Sequence, residues 1–531
     1  MPLRIVLSFL LILVVAPLRA EETPRTQWVV VTAPAYRKAV EPLCEQRKAQ
    51  GMRIEVVQTT DVLSEREASV GEAEKLRQRV VKLCRDFPGT SYVLLFGAVE
   101  AGRLGDAGKR VAPALAGTAG RMKGQPSDNG YGTPGEGLLP AVAVGRLPAR
   151  SDDEARQMVH KTLAYEKDAA PGEWRRRLTV LAGAPEFNPA IDALVERQAI
   201  SQLARIDPCW GGRALYHNPA SRFTLPDEAC HDRALAYVGA GQALTLYLGH
   251  SNAKGFWANG SRYLDRDDWA KLTIKRGPGV FATFGCFGCQ LGGKNGEGYG
   301  VAALRNPNGP VAAIGSHGEC FAAMVKLASE GFTDSFLGSD PPERLGESFL
   351  GLKRGLARGK IDGLTFRLLD AADGDSSIPQ AVQRQEHQEM FVLLGDPALR
   401  LPWLPRDVKL SADGPAAPAA RLTLKGTAPA RLEGAKVHVT LERPRDSDPA
   451  EPVVVPKGPG EERAKALTQR HEAANDFVLA RKELTVKDGR FEAGLDLPAK
   501  LPWRRLIVRA YAATERQEGM GVLVVAVREG E

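Results

Sequence analysis

From Trp28 onward the chain alternates short apolar, β-branched runs with longer stretches whose apolar residues recur every three or four positions. WVVVTAP, RIEVVQ and YVLLFGA have the length and composition of buried strands. Between them, YRKAVEPLCEQRKAQG and the stretch around Glu72 to Phe87 carry the helical period. Strands alternating with helices in this way form a parallel sheet with helices on its faces. The rhythm breaks at a Gly-rich polar stretch from Gly102 to Gly137, expected to be a long surface loop. It resumes with PAVAVGRLP and a helix over Asp152 to Lys167.

A second α/β unit follows. LTVLAGA, ALTLYLGH, GVFATFGC and GPVAAIGS read as its buried strands, and helices are expected through Ile191 to Leu203, Asp227 to Val238, Phe321 to Phe336 and Glu343 to Arg358. FVLLGDPALRLPWLP closes the unit, and Pro402 and Pro405 mark its boundary. Beyond them, alternating runs such as ARLTLKG, KVHVTLERP, RFEAGLDLP, RRLIVRAYA and GVLVVAV, separated by turn residues, predict a β-sandwich. It holds one polar insertion, Gly458 to Asn475, expected to be a loop or a short exposed helix.

The first twenty residues, MPLRIVLSFLLILVVAPLRA, have an Arg, then an apolar run from Ile5 to Leu18, then Ala20 at a candidate cleavage site. This is the pattern of a secretory leader. The run is shorter than the roughly 20 residues that span a bilayer, so stable membrane insertion is not expected. The expected divisions are therefore a leader (1–20), an N-terminal α/β subdomain (21–175), a catalytic α/β subdomain (176–405) and an all-β sandwich (406–531). The expected location is secreted, periplasmic or on the cell surface.

A formal net charge of +7 is spread along the chain, with no block of like charge and no basic stripe interleaved with aromatics, so no nucleic-acid partner is expected. Seven cysteines in 531 residues are too sparse for a disulfide scaffold, and an odd number leaves at least one unpaired.

Reacting groups in open parallel sheets gather at the carboxyl ends of the strands. His250 and Cys286 both stand at such ends. The 35 residues between them include a candidate helix, Asp265 to Leu272, enough for a crossover that sets the two strands side by side. A thiolate to attack a carbonyl and an imidazole to protonate the leaving group would then share one rim. Gly249, Ser251, Gly285 and Gly288 are small enough for backbone N–H groups to approach an oxyanion. A single His or Cys in such a core is more often packing, so it is the paired placement that argues for chemistry. Cys286 and Cys289 also admit other readings: a redox dithiol, though without the usual WCxxC context, or a zinc knuckle with His317 and Cys320, or a plain Cys289–Cys320 disulfide.

Taken in order, YLGHSNAKGFW, FATFGCFGCQ, NGPVAAIGS and FVLLGDPALRL resemble the peptidase domain of the gingipain-type cysteine peptidases. The similarity extends upstream to PSDNGYG and VAVGRLPARSDDEARQMVHKTLAYEKD, and covers roughly Gln27 to Pro405. The resemblance implies a caspase-like, mostly parallel sheet flanked by helices in two subdomains, followed by an immunoglobulin-like domain. It implies hydrolysis of protein or peptide substrates by a Cys–His dyad through an acyl-enzyme; calcium supports some relatives, but no ligand cluster for it is identifiable in this sequence, and neither cofactor nor metal is expected. By position, His250 matches the catalytic histidine and Cys286 the nucleophile, with Cys289 as its rival. Glu186 matches the acid that supports the histidine. The backbone N–H groups of Cys286 and Ser251 would form the oxyanion hole, and Asp192 is a candidate substrate-binding acid. Two departures support an alternative, a catalytically silent gingipain-like module for cell-surface assembly or binding. Ser251 stands where the family usually has Gly, and the first core strand begins too soon after the expected leader to leave room for a propeptide.

Overall fold

The computed structural model describes residues 24–528 apart from 71, 100–107, 136, 168–169, 187–188, 259–260, 293–295 and 375–376. The expected leader lies outside the described residues. Ten strands form one sheet: β1 (Thr26–Thr32), β2 (Arg53–Gln58), β3 (Thr90–Phe96), β4 (Ala143–Leu147), β5 (Arg177–Gly183), β6 (Gly211–His217), β7 (Gln242–Leu248), β8 (Pro278–Phe284), β9 (Ala312–Ser316) and β10 (Phe391–Leu394). Their order across the sheet is β2-β1-β3-β4-β10-β9-β8-β7-β5-β6. Helices cover both faces, so the central strands are buried throughout, as their continuous apolar runs require.

Among the described strands of this sheet, only β9 and β10 pair antiparallel. The sheet is thus two parallel halves running in opposite directions, joined at that seam. β10 lies near the end of the 176–405 segment yet runs parallel to β4, with Leu394 opposite Arg146. Nearly 250 residues after β4, the chain returns to complete the first half, so the two sequence segments share one sheet.

About half of the described part of the polar stretch expected as a surface loop is buried. Val111, Ala112, Met122 and Tyr131 are buried, and fully buried Arg146 forms an ion pair with Asp128. From helix Gln380–Met390, the Glu389 carboxylate accepts the N–H groups of Thr118 and Ala119, while Glu386 accepts from the N–H and guanidinium of Arg121. Polar residues are tolerated here because buried carboxylates and a buried guanidinium satisfy them.

The C-terminal domain is a sandwich of a three-stranded sheet (409–412, 421–427, 490–496) and a four-stranded sheet (478–485, 436–442, 505–513, 518–526), with the alternating burial its sequence shows. The insertion is a 15-residue helix, Glu461–Asn475, and it is not exposed as expected: His471 and Ala474 are buried. It packs on β6, the sheet's edge strand. The Asn475 amide accepts from the Ala214 N–H at 2.7 Å and donates to the Ala214 carbonyl at 3.0 Å, standing in for the strand that is missing there.

Candidate active site

β7 and β8 are parallel neighbours in a register that sets Leu248 opposite Phe284. His250 and Cys286 each follow two residues later, so equal offsets bring imidazole and thiol to one rim. Both line a cleft of about 600 Å³ walled mainly by apolar residues from β5, β7 and β8 and from helices 189–205 and 322–336, among them Val180, Leu246, Phe284 and Val325. The crossover contains helix Arg266–Lys271, as expected, and also a three-stranded ribbon over 251–265 that the sequence reading did not include.

Close packing holds the two strand ends. Gly249 has φ of 144°, and a Cβ there would lie 2.9 Å from the Tyr247 hydroxyl and 3.0 Å from the Gly183 nitrogen. Buried Tyr247 donates to the His250 carbonyl and stacks on Phe256 with ring centroids 3.9 Å apart. His250 is exposed, and its Nε2–H donates to the Pro185 carbonyl at 2.7 Å. Glu186, the next residue, is exposed and has φ of 57°. Ser251 is extended, in the first strand of the ribbon, so the absence of Gly imposes no left-handed strain at this position. Its hydroxyl donates to the Cys286 carbonyl at 2.8 Å.

Half-buried Cys286 has a thiol pulled down to about 7. The adjacent Cys320 thiol is the largest influence, against opposing desolvation; the Cys320 N–H and the His250 charge add to it, and Glu319 works the other way. The chain then turns through Phe287, whose φ of 59° is left-handed, a strained state for a bulky residue that is found where surrounding structure enforces it. The Phe287 N–H is held by the Gly318 carbonyl at 2.9 Å and the Cys289 N–H by the Ser316 carbonyl at 2.9 Å.

That turn sends Cys289 into the core. It is fully buried, its sulfur close enough to Gly300 and Gly315 that a Cβ on either would lie within 2.6 and 2.9 Å, and burial pushes its thiol far above the usual range. The Cys289–Cys320 disulfide is not formed: all seven cysteines are free, and Cys320 sits beside Cys286 at the seam end of β9. The His317 Nδ1 accepts the Leu291 N–H at 3.0 Å, and burial lowers the ring to about 4. Among the described residues, no group of three or more His, Cys, Asp or Glu could hold a metal ion.

Asp192 lies in the first turn of helix Pro189–Arg205 but does not line the cleft, whereas Glu196, one turn on, does. Asp373, absent from the sequence reading, also lines it; its carboxylate accepts the Ala322 N–H at 2.8 Å, and burial raises it to about 6. Sequence reasoning misses Tyr247 and Asp373 and takes Cys320 only as a zinc-ligand or disulfide candidate; the contacts of Cys320 and Asp373 join distant segments. Tyr247 lies three residues before His250, whose carbonyl it meets.

Three solved structures share the architecture. Gingipain R (RgpB), described as an Arg-specific cysteine proteinase, is 15% identical over 96% of this chain and 99% of that one, with a TM-score of 0.54. The complex of Porphyromonas gingivalis RgpB pro- and mature domains gives 16% identity over 94% and 100%, with a TM-score of 0.50. A structure described as a protease gives 13% identity over 96% and 98%, with a TM-score of 0.53. At these identities the likeness is one of fold. A comparison with curated protein sequences finds no match. The sequence does match Peptidase family C25 over residues 21–402, which takes in both halves of the sheet and the rim carrying His250 and Cys286. The chain therefore belongs to peptidase family C25, the gingipain family, and is a cysteine-type peptidase.

Proposed function

We propose that the chain is an exported endopeptidase that cleaves peptide bonds through a Cys286–His250 dyad and an acyl-enzyme. The observation that carries this reading is the equal offset of thiol and imidazole on neighbouring strand ends, at the mouth of one cleft, with the thiol held near 7. A thiol titrating there supplies a substantial thiolate fraction at neutral pH. The Cys286 Sγ attacks the substrate carbonyl, and the amine leaves with a proton from His250. Because the bond to Pro185 occupies Nε2, proton exchange falls to Nδ1. Water then takes the acyl group from sulfur, with the imidazole as base. The Cys286 N–H, which has no acceptor among the described residues, and that of Ser251 are the oxyanion donors in this reading. Glu186, the residue after that carbonyl, is the acid that supports His250 in this reading. Asp192 lies outside the cleft lining and would contact substrate only beyond it.

Protein or peptide substrates follow from the family. No helix among the described residues is long and apolar enough to cross a membrane. Export rests on the leader pattern of residues 1–20.

Turnover of a peptide library is expected for the wild-type chain, with loss on the order of 10³-fold or more in Cys286→Ala and in His250→Ala. Full activity in both variants would sink the dyad. A thiol probe that labels no cysteine rapidly, together with no turnover, would leave the silent module standing. Export is checked by mass spectrometry of protein recovered outside the cytoplasm, where an N-terminus at Glu21 is expected.

A further inference from the structure

The cleft reaches much further than the dyad at its mouth. From Cys286 it runs down one face of the sheet between helices Pro189–Arg205 and Ala322–Phe336, both of which begin near the rim. Alternate residues of β5, Leu178, Val180 and Ala182, face it, a span of about 13 Å along the strand. Leu246, Phe284 and Val325 line the remaining walls. At the end far from the thiol, the Gln202 amide donates to Glu330 at 3.0 Å, Arg205 pairs with Asp334 at 2.7 Å, and the Asp207 N–H donates to the Leu337 carbonyl at 3.1 Å. These ties draw the two helices together there, so the cleft opens beside Cys286 and His250. We propose that it receives the side chain of the substrate residue whose carbonyl Cys286 attacks, and that it selects large apolar side chains.

Attachment to sulfur fixes where that side chain can go. In the acyl-enzyme, the Cα of that residue is one bond from the carbonyl carbon that Cys286 holds, so its side chain leaves the rim close to the thiol. The charges on the lining favour an apolar occupant. Asp334 is neutralised by Arg205, and Lys326 by Glu330. The Asp373 carboxylate accepts the Ala322 N–H at 2.8 Å, and the charge of Glu196 is shared with Arg470 of the inserted helix. Asp192, the expected substrate-binding acid, is not on the lining. A lysine or arginine head would therefore exchange water for apolar walls and for acids that already have partners, which is unfavourable. A leucine or phenylalanine side chain gains instead by leaving water, on the order of tenfold to a hundredfold over alanine. With a cleft of about 600 Å³, the preference should go on rising with side-chain size.

This reading of the cleft rests on Cys286 as the nucleophile, and it is tested by side-chain preference apart from the dyad. The full chain is treated with tripeptidyl chloromethyl ketones that differ only in their last residue, which is alanine, leucine, phenylalanine, arginine or lysine. In each reaction the thiolate displaces chloride and forms a thioether, located at Cys286 by peptide mapping. Iodoacetamide gives the labelling rate of the same thiol without any substrate side chain. The phenylalanine reagent is expected to label at least about tenfold faster than the alanine reagent, and the arginine and lysine reagents no faster than alanine. Val325→Trp and Ala199→Phe each fill part of the cleft. Both should bring the phenylalanine-to-alanine ratio toward one while iodoacetamide labelling keeps its rate. The ratio is read within one preparation, so a partly unfolded variant scales both rates alike. Fastest labelling by the arginine or lysine reagent, equal rates for phenylalanine and alanine, or an unmoved ratio in both variants overturns the proposal. If iodoacetamide labels Cys286 and no peptidyl ketone does, the dyad survives and this inference falls; if neither labels it, both fall.

Discussion

Gly285 shows how much of the site depends on one missing methyl group. A Cβ there would come within 2.3 Å of the Ser251 hydroxyl and 2.6 Å of the Gly249 carbonyl, so the ends of β7 and β8 meet only because the position is bare. Gly285→Ala must push the two loops apart, and displacing reacting groups by about 1 Å costs on the order of 10²-fold in rate. Activity is expected to fall that far while the melting temperature drops only a few degrees, as activity assays and calorimetry on the same preparation would show. Unchanged activity would mean that the loops adjust freely. The sequence marked Gly285 as small, but it could not reveal the Ser251 hydroxyl that takes up the space.

At the scale of elements, the register of two strands makes the site and an inserted helix protects the edge. β7 and β8 were legible as parallel neighbours because their apolar runs are continuous and the span between them suits a crossover. Helix Glu461–Asn475 was legible as a polar insertion only. Its partner lies some 250 residues away, and pattern within the insertion does not say which surface it will cover. Asn475→Ala leaves the Ala214 N–H and carbonyl without their partner, a loss of about 1–3 kcal/mol for poorly solvated backbone groups. Urea denaturation should show it. Asn475→Asp, which keeps the acceptor for the N–H but loses the donor, is expected to fall between the two. If both variants match wild type, the edge of β6 does not depend on this helix.

The same helix ties the sandwich to the peptidase and makes the joined molecule sensitive to acid. His471 is fully buried, accepts at Nε2 from the Tyr237 hydroxyl at 2.7 Å and donates Nδ1–H to the Phe223 carbonyl at 2.8 Å; burial lowers it from 6.5 to about 4. His317 and His387, both buried in the peptidase, are lowered to about 4 and about 3. In each case the unfolded chain takes up a proton before the folded one does. Their contribution to stability is complete above about 6.5 and is lost as pH falls toward the folded values, on the order of 3 kcal/mol for each ring. The thermal midpoint is expected to fall between pH 6.5 and 4.5. It should fall less steeply in His471→Gln, although that variant starts lower at neutral pH. An equal slope in the two proteins would remove His471 from this account.

Hydrophobic periodicity alone determined nine of the ten strands of the large sheet, most of the helices, the change of texture after Pro405 and the rim carrying His250 and Cys286, but neither β6 nor the ribbon after His250. These follow from local burial, which the period of apolar residues records directly. The antiparallel seam, the return of β10 to the first half of the sheet, the partial burial of the polar stretch before β4 and which of Cys286 and Cys289 faces the cleft were decided only by the tertiary structure. Each depends on which distant segment meets which. Cys286 and Cys289 differ by a single left-handed residue, Phe287, whose conformation is enforced by the Gly318 and Ser316 carbonyls at the end of another strand. No pattern within FGCFGC contains that information, because the force that turns one thiol outward and the other inward comes from residues some thirty positions away.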